Sequence, residues 1–300
     1  MQKRVIALGF FDGVHQGHAA LLGTACQRAR TLGASPAVLT FDTHPAAYTG
    51  STATPLIHSL AGRLECIERL HGIHDVIVLP FDEALRQMPW DAFVTALGED
   101  YGAVHVVCGH NYHFGYGGKG NPAQLQAKCK ELGIGVDVVP EVKLDGMTVS
   151  STHIRALLAD GAIETAMRFL GHPHTLIDTV RHGFKLGRTL GAPTINMTFP
   201  PGVLIPPRGV YATQAFLPGE RLGRTAVTNI GHRPTVNGDG ETLTVESYIL
   251  GFSGDLYDRQ VRVEFHRFLR PEIKFADTEE LKRQIQRDIE IAERHFGVGT

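Results

Sequence analysis

The chain has 300 residues, 43% hydrophobic and 20% charged, and its 29 basic and 31 acidic side chains leave a formal net charge of −2. That composition fits a globular protein of about two domains. Net charges of −3 over residues 1–172 and +1 over residues 173–300 give neither half the basic excess of a nucleic-acid binder.

The start, Met1-Gln2-Lys3-Arg4, runs straight into the apolar segment Val5–Leu8 without a signal-peptide core. No apolar run reaches the ~18 to 20 residues that span a bilayer, so no membrane partner and a cytoplasmic location are expected. After Val5–Leu8 comes Gly9-Phe10-Phe11-Asp12-Gly13-Val14-His15-Gln16-Gly17-His18, then a helical pattern over Ala19–Leu32. Strand, glycine-rich turn and helix N-terminus together make an anion site, because the first amides of a helix are unpaired and its dipole is positive there. Two histidines before the helix add donors for developing negative charge.

Further apolar runs follow at Ala37–Phe41, Val76–Leu79, Val104–Cys108 and Gly135–Val139, separated by helical patterns over Leu60–Leu70 and Asn121–Leu132. Alternating strands and helices with continuous apolar strands indicate a parallel sheet covered on both faces. Ligands of such sheets sit at the carboxyl ends of the strands. His15, His44 and the Gly109–Gly120 loop all follow predicted strands and are expected on one rim. Cys26, Cys66, Cys108 and Cys129 show no CxxC spacing and read as reduced packing thiols. Ser150-Ser151-Thr152-His153-Ile154-Arg155 looks like a helix start whose hydroxyls and Arg155 suit phosphate, or equally a plain N-cap followed by an exposed arginine.

A helical segment at Ala162–Leu170 leads to Gly171-His172-Pro173, where the domain boundary is expected. From Thr175 the pattern changes to strands with turn signals: Thr175–Val180, Val210–Phe216, Arg224–Thr228, Leu243–Leu250 and Val261–Leu269. Without intervening helices these suggest an antiparallel barrel or sandwich. Alternation is clearest at Val261, Val263, Phe265 and Phe268, with charged residues between. Asp277 and Glu280 form a capping pattern ahead of a helical stripe at Leu281, Ile285, Ile289 and Phe296.

Within this half, Gly187-Arg188-Thr189-Leu190-Gly191-Ala192-Pro193-Thr194-Ile195-Asn196 stands out. Thr194 and Asn196 present two short oxygen-bearing side chains on one face of an extended segment. Mg²⁺ keeps much of its shell as water and substrate phosphate, so two such oxygens can hold it beside a polyphosphate. Gly, Pro, Thr and Asn are also ordinary turn residues.

Taken together, these segments resemble the bacterial bifunctional riboflavin kinase/FMN adenylyltransferases along essentially the whole chain. The resemblance is carried by His15-Gln16-Gly17-His18, by Gly183-Phe184-Lys185-Leu186-Gly187-Arg188 leading into Pro193-Thr194-Ile195-Asn196, and by Gly209-Val210-Tyr211-Ala212. Asn229-Ile230-Gly231, Val245-Glu246-Ser247-Tyr248 and Phe268-Leu269-Arg270-Pro271-Glu272 complete it. It implies a Rossmann-like nucleotidylyltransferase domain over residues 1–172 and an antiparallel flavokinase β-barrel with a terminal helix over residues 173–300.

For the second domain it implies phosphorylation of riboflavin by ATP, with Glu246 as base and Thr194 and Asn196 on Mg²⁺. Gly183, Lys185, Gly187 and Arg188 would shape the loop over the ATP phosphates, and Arg270 would meet flavin. For the first domain it implies adenylylation of FMN to FAD. Gly9, Asp12, Gly13, Gly17, Ser151 and Thr152 would bind nucleotide, His15, His18 and Arg155 would stabilise charge, and Asn111 would meet flavin. The implied small-molecule partners are riboflavin, FMN and ATP, and a homo-oligomer is left open.

Phe10 stands where the family normally has Asn, Asn111-Tyr112-His113-Phe114-Gly115 replaces an Asp-Phe-Arg-Phe-Gly-like stretch, and His153 replaces Arg. These changes give a second reading, a riboflavin kinase with a weak, inactive or regulatory first domain. Asp258 replaces a frequent Gly in the second half.

Overall fold

The structure, a computed structural model, describes residues 2–45, 54–182, 193–234 and 241–297. By contact the chain divides into two compact units, one of residues 1–54 and 63–151, the other of 55–62 and 152–300.

The first unit is built on strands β1 (Arg4–Leu8), β2 (Ser35–Phe41), β3 (Asp75–Leu79), β4 (Ala103–Gly109) and β5 (Gly135–Val139). They pair in parallel in the order β3-β2-β1-β4-β5. Helices α1 (Gln16–Leu32), α2 (Leu60–His71), α3 (Glu83–Gln87), α4 (Trp90–Glu99) and α5 (Pro122–Glu131) connect them. Alternate residues of β1 serve two cores: Ile6 and Leu8 pack with Phe93, Val94 and Leu125, while Val5 and Ala7 pack with Leu22, Ala25 and Ile67. A centre strand buried on both faces is why its sequence is apolar without alternation.

The strand order reverses at β1. The crevice at the carboxyl ends of β1 and β4 is therefore the topological switch point, where doubly wound sheets bind ligands. Two connections were not expected from sequence. α3 and α4 occupy the span after β3, and a hairpin of β6 (Lys143–Leu144) and β7 (Met147–Thr148) turns through Asp145 and Gly146 at φ 52° and 77°, as Asp-Gly turns do.

In the second unit, α6 (Ser151–Ala159, its first residue counted with the first unit) and α7 (Ile163–Leu170) precede a six-stranded antiparallel sheet. Its strands are β8 (His174–Thr179), β9 (Thr194–Met197), β10 (Gly209–Phe216), β11 (Arg224–Pro234), β12 (Glu241–Ile249) and β13 (Gln260–Arg270), in the order β8-β13-β10-β11-β12-β9. The two outer strands then meet: Arg181 N–H, just beyond β8, donates to Asn196 O at 2.9 Å, and Asp178 accepts from Thr198 N–H at 2.8 Å. Those bonds curl the sheet into a barrel. Its interior holds a row of fully buried hydroxyls, with Thr213 Oγ1 2.7 Å from Thr228 Oγ1 and that atom 2.8 Å from Ser247 Oγ.

Helix α8 (Thr278–Phe296) closes the chain. Asp277 accepts from Glu280 N–H, and Glu280 accepts from Ala276 N–H, each at 2.8 Å, the reciprocal cap that the sequence pattern predicts. Two local features of this unit concern β13 and Asp258. Glu264 is only 5% exposed, held by Arg262 at 2.5 Å, while Arg262 itself lies 3.8 Å over the Phe216 ring. Alternation is kept here: Glu264 shares the face of β13 opposite to Val263 and Phe265 with Arg262 and with His266, whose Nε2 lies 3.6 Å from the carboxylate. Asp258 adopts φ 59°, a left-handed conformation that Gly adopts freely and Asp tolerates.

Among the described residues no helix is long and apolar enough to cross a membrane. All four cysteines are free, and burial pushes Cys66 and Cys108 up to about 12 and Cys129 to about 11.

A buried histidine makes the second unit acid-sensitive. His174 lies between Phe265, His58 and Phe199, at ring separations of 5.8, 5.7 and 6.2 Å, and among the described residues neither ring nitrogen has a hydrogen-bond partner. Burial, reinforced by His172, lowers its pKa to about 3. The unfolded state therefore takes up the proton first, so this contribution to stability is complete above the unfolded value near 6.5 and is lost as pH falls from there towards 3. His174→Phe is expected to flatten the fall in urea stability across that window by up to about 1.4 kcal/mol per pH unit. An unchanged slope counts against it.

Candidate active sites

The turn after β1 is tightly wound. Phe11, Gly13 and Val14 have φ of 60°, 81° and 43°, and Val14 N–H donates to Phe11 O at 3.1 Å. Positive φ at a β-branched residue is costly and characteristic of functional turns. It brings His15 to the N-cap of α1, where Nδ1 accepts from His18 N–H at 3.3 Å. The two imidazoles stack at 3.6 Å with planes 11° apart. A Cβ on Gly17 would stand 3.1 Å from the His15 ring, so the glycine leaves room for it.

An Nδ1 that accepts the His18 amide leaves the proton of the neutral His15 ring on Nε2. His18 is held well below the ordinary histidine value, chiefly by burial and then by His15, Arg63 and His71. Its ring is a neutral donor at pH 7. Ser151 reaches this turn from the start of α6, donating to Asp12 O at 2.9 Å. Gly9, Asp12, Gly13, Gly17, His15, His18 and Ser151 thus belong to one constellation. Thr152 and Arg155 follow on α6, with Arg155 Nη2 3.5 Å from Thr152 Oγ1.

The same unit holds a cavity of about 630 Å³ lined by Phe41, Phe81, Phe93, Tyr112, Phe114 and Tyr116, with Arg86 and His113 among its polar groups. Phe41 ends β2, Phe81 follows β3 and Tyr112 follows β4, so the cavity sits on the carboxyl rim. Flat aromatic walls suit a planar heteroaromatic ligand. Asn111, expected to meet flavin, is exposed and is not among the lining residues; its neighbours Tyr112 and His113 are. The cavity's aromatics come from the end of β2 (Phe41), the span between β3 and β4 (Phe81, Phe93) and the loop after β4 (Tyr112, Phe114, Tyr116), a convergence that no local motif shows.

The substitutions at Phe10 and His153 are absorbed by local packing. The Phe10 ring carries the Arg63 guanidinium at 3.9 Å and meets His44 edge-on at 4.5 Å. His153 packs edge-on against Phe169 at 4.8 Å, as an aromatic rather than a permanent cation.

In the barrel, register assembles the second site. β9 pairs with β12 so that Asn196 faces Glu246 and Thr194 faces Tyr248, and β11 pairs with β12 so that Asn229 faces Glu246 on its other side. Alternation along β9 and β12 leaves Thr194, Asn196, Glu246 and Tyr248 on the half-exposed face while Ile195, Met197, Val245 and Ser247 are buried. Asn196 Oδ1 is buried without a hydrogen-bond partner among the described residues. An orphaned oxygen beside a carboxylate is what a hard cation requires, so these side chains fit Mg²⁺.

Asn229 Nδ2 donates to Glu272 Oε1 at 3.4 Å, and a Cβ on Gly231 would come 2.3 Å from that oxygen. Asn229 and Glu272 thus extend the row, and both lay unassigned within quoted motifs. Gly183, Lys185, Gly187 and Arg188 lie outside the described residues.

Arg270 is engaged elsewhere than at the exposed face. It grips Asp288 of α8 through Nε at 3.1 Å to both oxygens and through Nη2 at 2.8 Å, with Asp288 only 3% exposed, and Gln284 also donates to that carboxylate. The pair pins β13 to the terminal helix. Asp288→Ala is expected to cost about 3–5 kcal/mol in urea denaturation, and the double change Arg270→Met with Asp288→Leu to recover most of it.

A family model described as FAD synthetase matches residues 1–153, and one described as riboflavin kinase matches residues 170–296. A bifunctional riboflavin kinase/FMN adenylyltransferase of Pseudomonas fluorescens is 37% identical over 96% of this chain and 91% of its own length. The chain belongs to the bifunctional riboflavin kinase/FMN adenylyltransferase family. Members from Listeria monocytogenes and Bacillus subtilis are 36% and 34% identical, over 95% and 98% of this chain and 90% and 93% of theirs. A crystal structure described as a macrolide-efflux protein from Streptococcus pneumoniae superposes with a TM-score of 0.84 at 28% identity, over 97% of this chain and 94% of that one. The family's two-part organisation accounts for one chain carrying both an α/β sheet and a barrel.

Proposed function

We propose that the row Thr194, Asn196 and Glu246 is the catalytic face of the riboflavin kinase and that the turn from Gly9 to His18 is the nucleotide site of the FMN adenylyltransferase. The chain phosphorylates riboflavin to FMN with ATP and converts FMN with a second ATP to FAD and pyrophosphate. The observation that carries the kinase assignment is the register that sets Asn196, with its unpartnered oxygen, opposite Glu246.

A ribityl hydroxyl is a poor nucleophile at pH 7. Glu246 accepts its proton as the oxygen attacks the γ-phosphorus of ATP and ADP departs. Thr194 and Asn196 would hold Mg²⁺, which supplies charge neutralisation at the phosphates when bound. Glycines 183 and 187, Lys185 and Arg188 would shape the loop over the ATP phosphates, with Arg270 acting on flavin by fixing the end of β13.

In the other reaction an FMN phosphate oxygen attacks the α-phosphorus of ATP and pyrophosphate leaves, so no protein nucleophile is needed. His15 Nε2–H and His18 donate to the charge that builds on the phosphates, and Ser151 positions the turn. The sequence reading adds Thr152 and Arg155 to the phosphate ligands and Asn111 to the flavin contacts. The aromatic cavity would receive the isoalloxazine ring.

The domain boundary is placed at residues 172/173, and the protein is assigned to the cytoplasm, where ATP is abundant and its thiols stay reduced. The test is incubation with riboflavin, ATP and Mg²⁺, followed by chromatography of the flavins, and the same assay started from FMN. FMN and FAD together are expected. FMN without FAD would overturn the adenylyltransferase assignment, and no conversion from either substrate would overturn both.

A further inference from the structure

A buried cation stands behind the phosphate turn. Arg63 of α2 is fully buried, and among the described residues its hydrogen bonds go to neutral acceptors. Nη1 donates to Phe10 O and, at 3.1 Å, to Thr40 Oγ1, while Nη2 donates to Phe41 O at 2.8 Å. Thr40 adds its own bond to Phe10 O at 3.0 Å. The guanidinium therefore ties the chain leaving β1, which borders the switch point, to the end of its neighbour β2, with its flat face on the Phe10 ring. Its Nε is buried without a hydrogen-bond partner among the described residues.

A neutral donor could tie two carbonyls without the desolvation cost of a charge. The charge is nevertheless kept, since burial lowers this guanidinium only to about 10. It lies next to a turn built to receive polyphosphate. Building on the adenylyltransferase reading above, we infer that Arg63 is a positioning residue for adenylyl transfer, fixing the Phe10–Asp12 backbone and raising the positive potential beneath the ATP phosphates.

Several charged and titratable groups act on this region. Asp12 on the turn and Asp42 after β2 favour the Arg63 charge, and His44 faces the same ring. His15 of α1, Arg63 and His71 of α2 all disfavour protonation of His18. Removing the guanidinium therefore lets His18 take up a proton at higher pH, whereas a lysine at the same place keeps that effect but cannot span both carbonyls.

The test uses full-length wild type, Arg63→Met and Arg63→Lys, each assayed for FAD formation from FMN, for riboflavin kinase activity, and for His18 ring titration by NMR. R63M is expected to raise the KM for ATP in FAD formation by about tenfold or more, to shift the His18 titration upward, and to leave the kinase rate unchanged. R63K is expected to keep the wild-type titration and still raise that KM. An R63M protein with wild-type KM and titration overturns the inference, as does one that loses both activities together without a shift in His18. If R63M is insoluble, R63K decides: a raised KM with unshifted titration supports the inference, and a wild-type KM overturns it. A wild type that makes no FAD overturns the function reading and this one with it; normal wild-type turnover beside an unaltered variant overturns this one alone.

Discussion

Replacing Glu246 with Gln stops FMN formation while FAD formation from added FMN continues. Glutamine keeps the shape of the side chain and its place opposite Asn196 and Asn229, but an amide cannot take the ribityl proton. General-base removal costs about 10² to 10⁴ in rate, and because the change is nearly isosteric the loss belongs in kcat rather than in the KM for riboflavin. Steady-state kinetics with each flavin as substrate provide the check. A variant that retains more than about a tenth of the wild-type kcat would remove Glu246 from the base role.

His15→Asn separates the two tasks of His15. Asparagine is among the best N-cap residues, so the bond to the His18 amide can be replaced and α1 retained, but its short side chain cannot carry a donor to where Nε2 lies. FAD formation is expected to fall about 10²- to 10³-fold, the usual cost of one lost donor to developing charge. Riboflavin phosphorylation in the same preparation should be untouched. Equal loss of the two activities would point to a folding defect instead.

The parallel sheet was legible because its inner strands are buried on both faces, leaving Val5–Leu8 and Ala37–Phe41 without polar interruption. α8 was legible from Asp277, Glu280 and the apolar spacing behind them. α3 and α4 were not: Pro80 and Pro89 break the span into pieces too short for periodicity to register. The Asp145-Gly146 turn was present in the sequence, but the two-residue strands beside it carry no alternation of their own.

For the sites, local motifs placed His15 at the helix start and Thr194 and Asn196 on an extended segment, whereas His18, expected before the helix, lies in its first turn because α1 begins at Gln16. Pairing could not be read. Glu246 is 50 positions from Asn196 in sequence, and only the register of β9 on β12 makes them neighbours. The same holds for Arg63, whose partners Phe10, Thr40 and Phe41 come from two other strand ends, and for Arg270, whose carboxylate partner lies a helix away.

β9 is only four residues long, yet it is bonded along one side to β12 and, through Arg181 and Thr198, along the other to the end of β8. The strand that carries Thr194 and Asn196 is therefore also the seam of the barrel. A closed seam leaves no row of unpaired amides for another chain to extend. Substitutions that loosen β9 would uncover the edge of β12, a nine-residue strand, and would then show themselves as insoluble protein and strand-mediated aggregation before any assay of the flavin could be run.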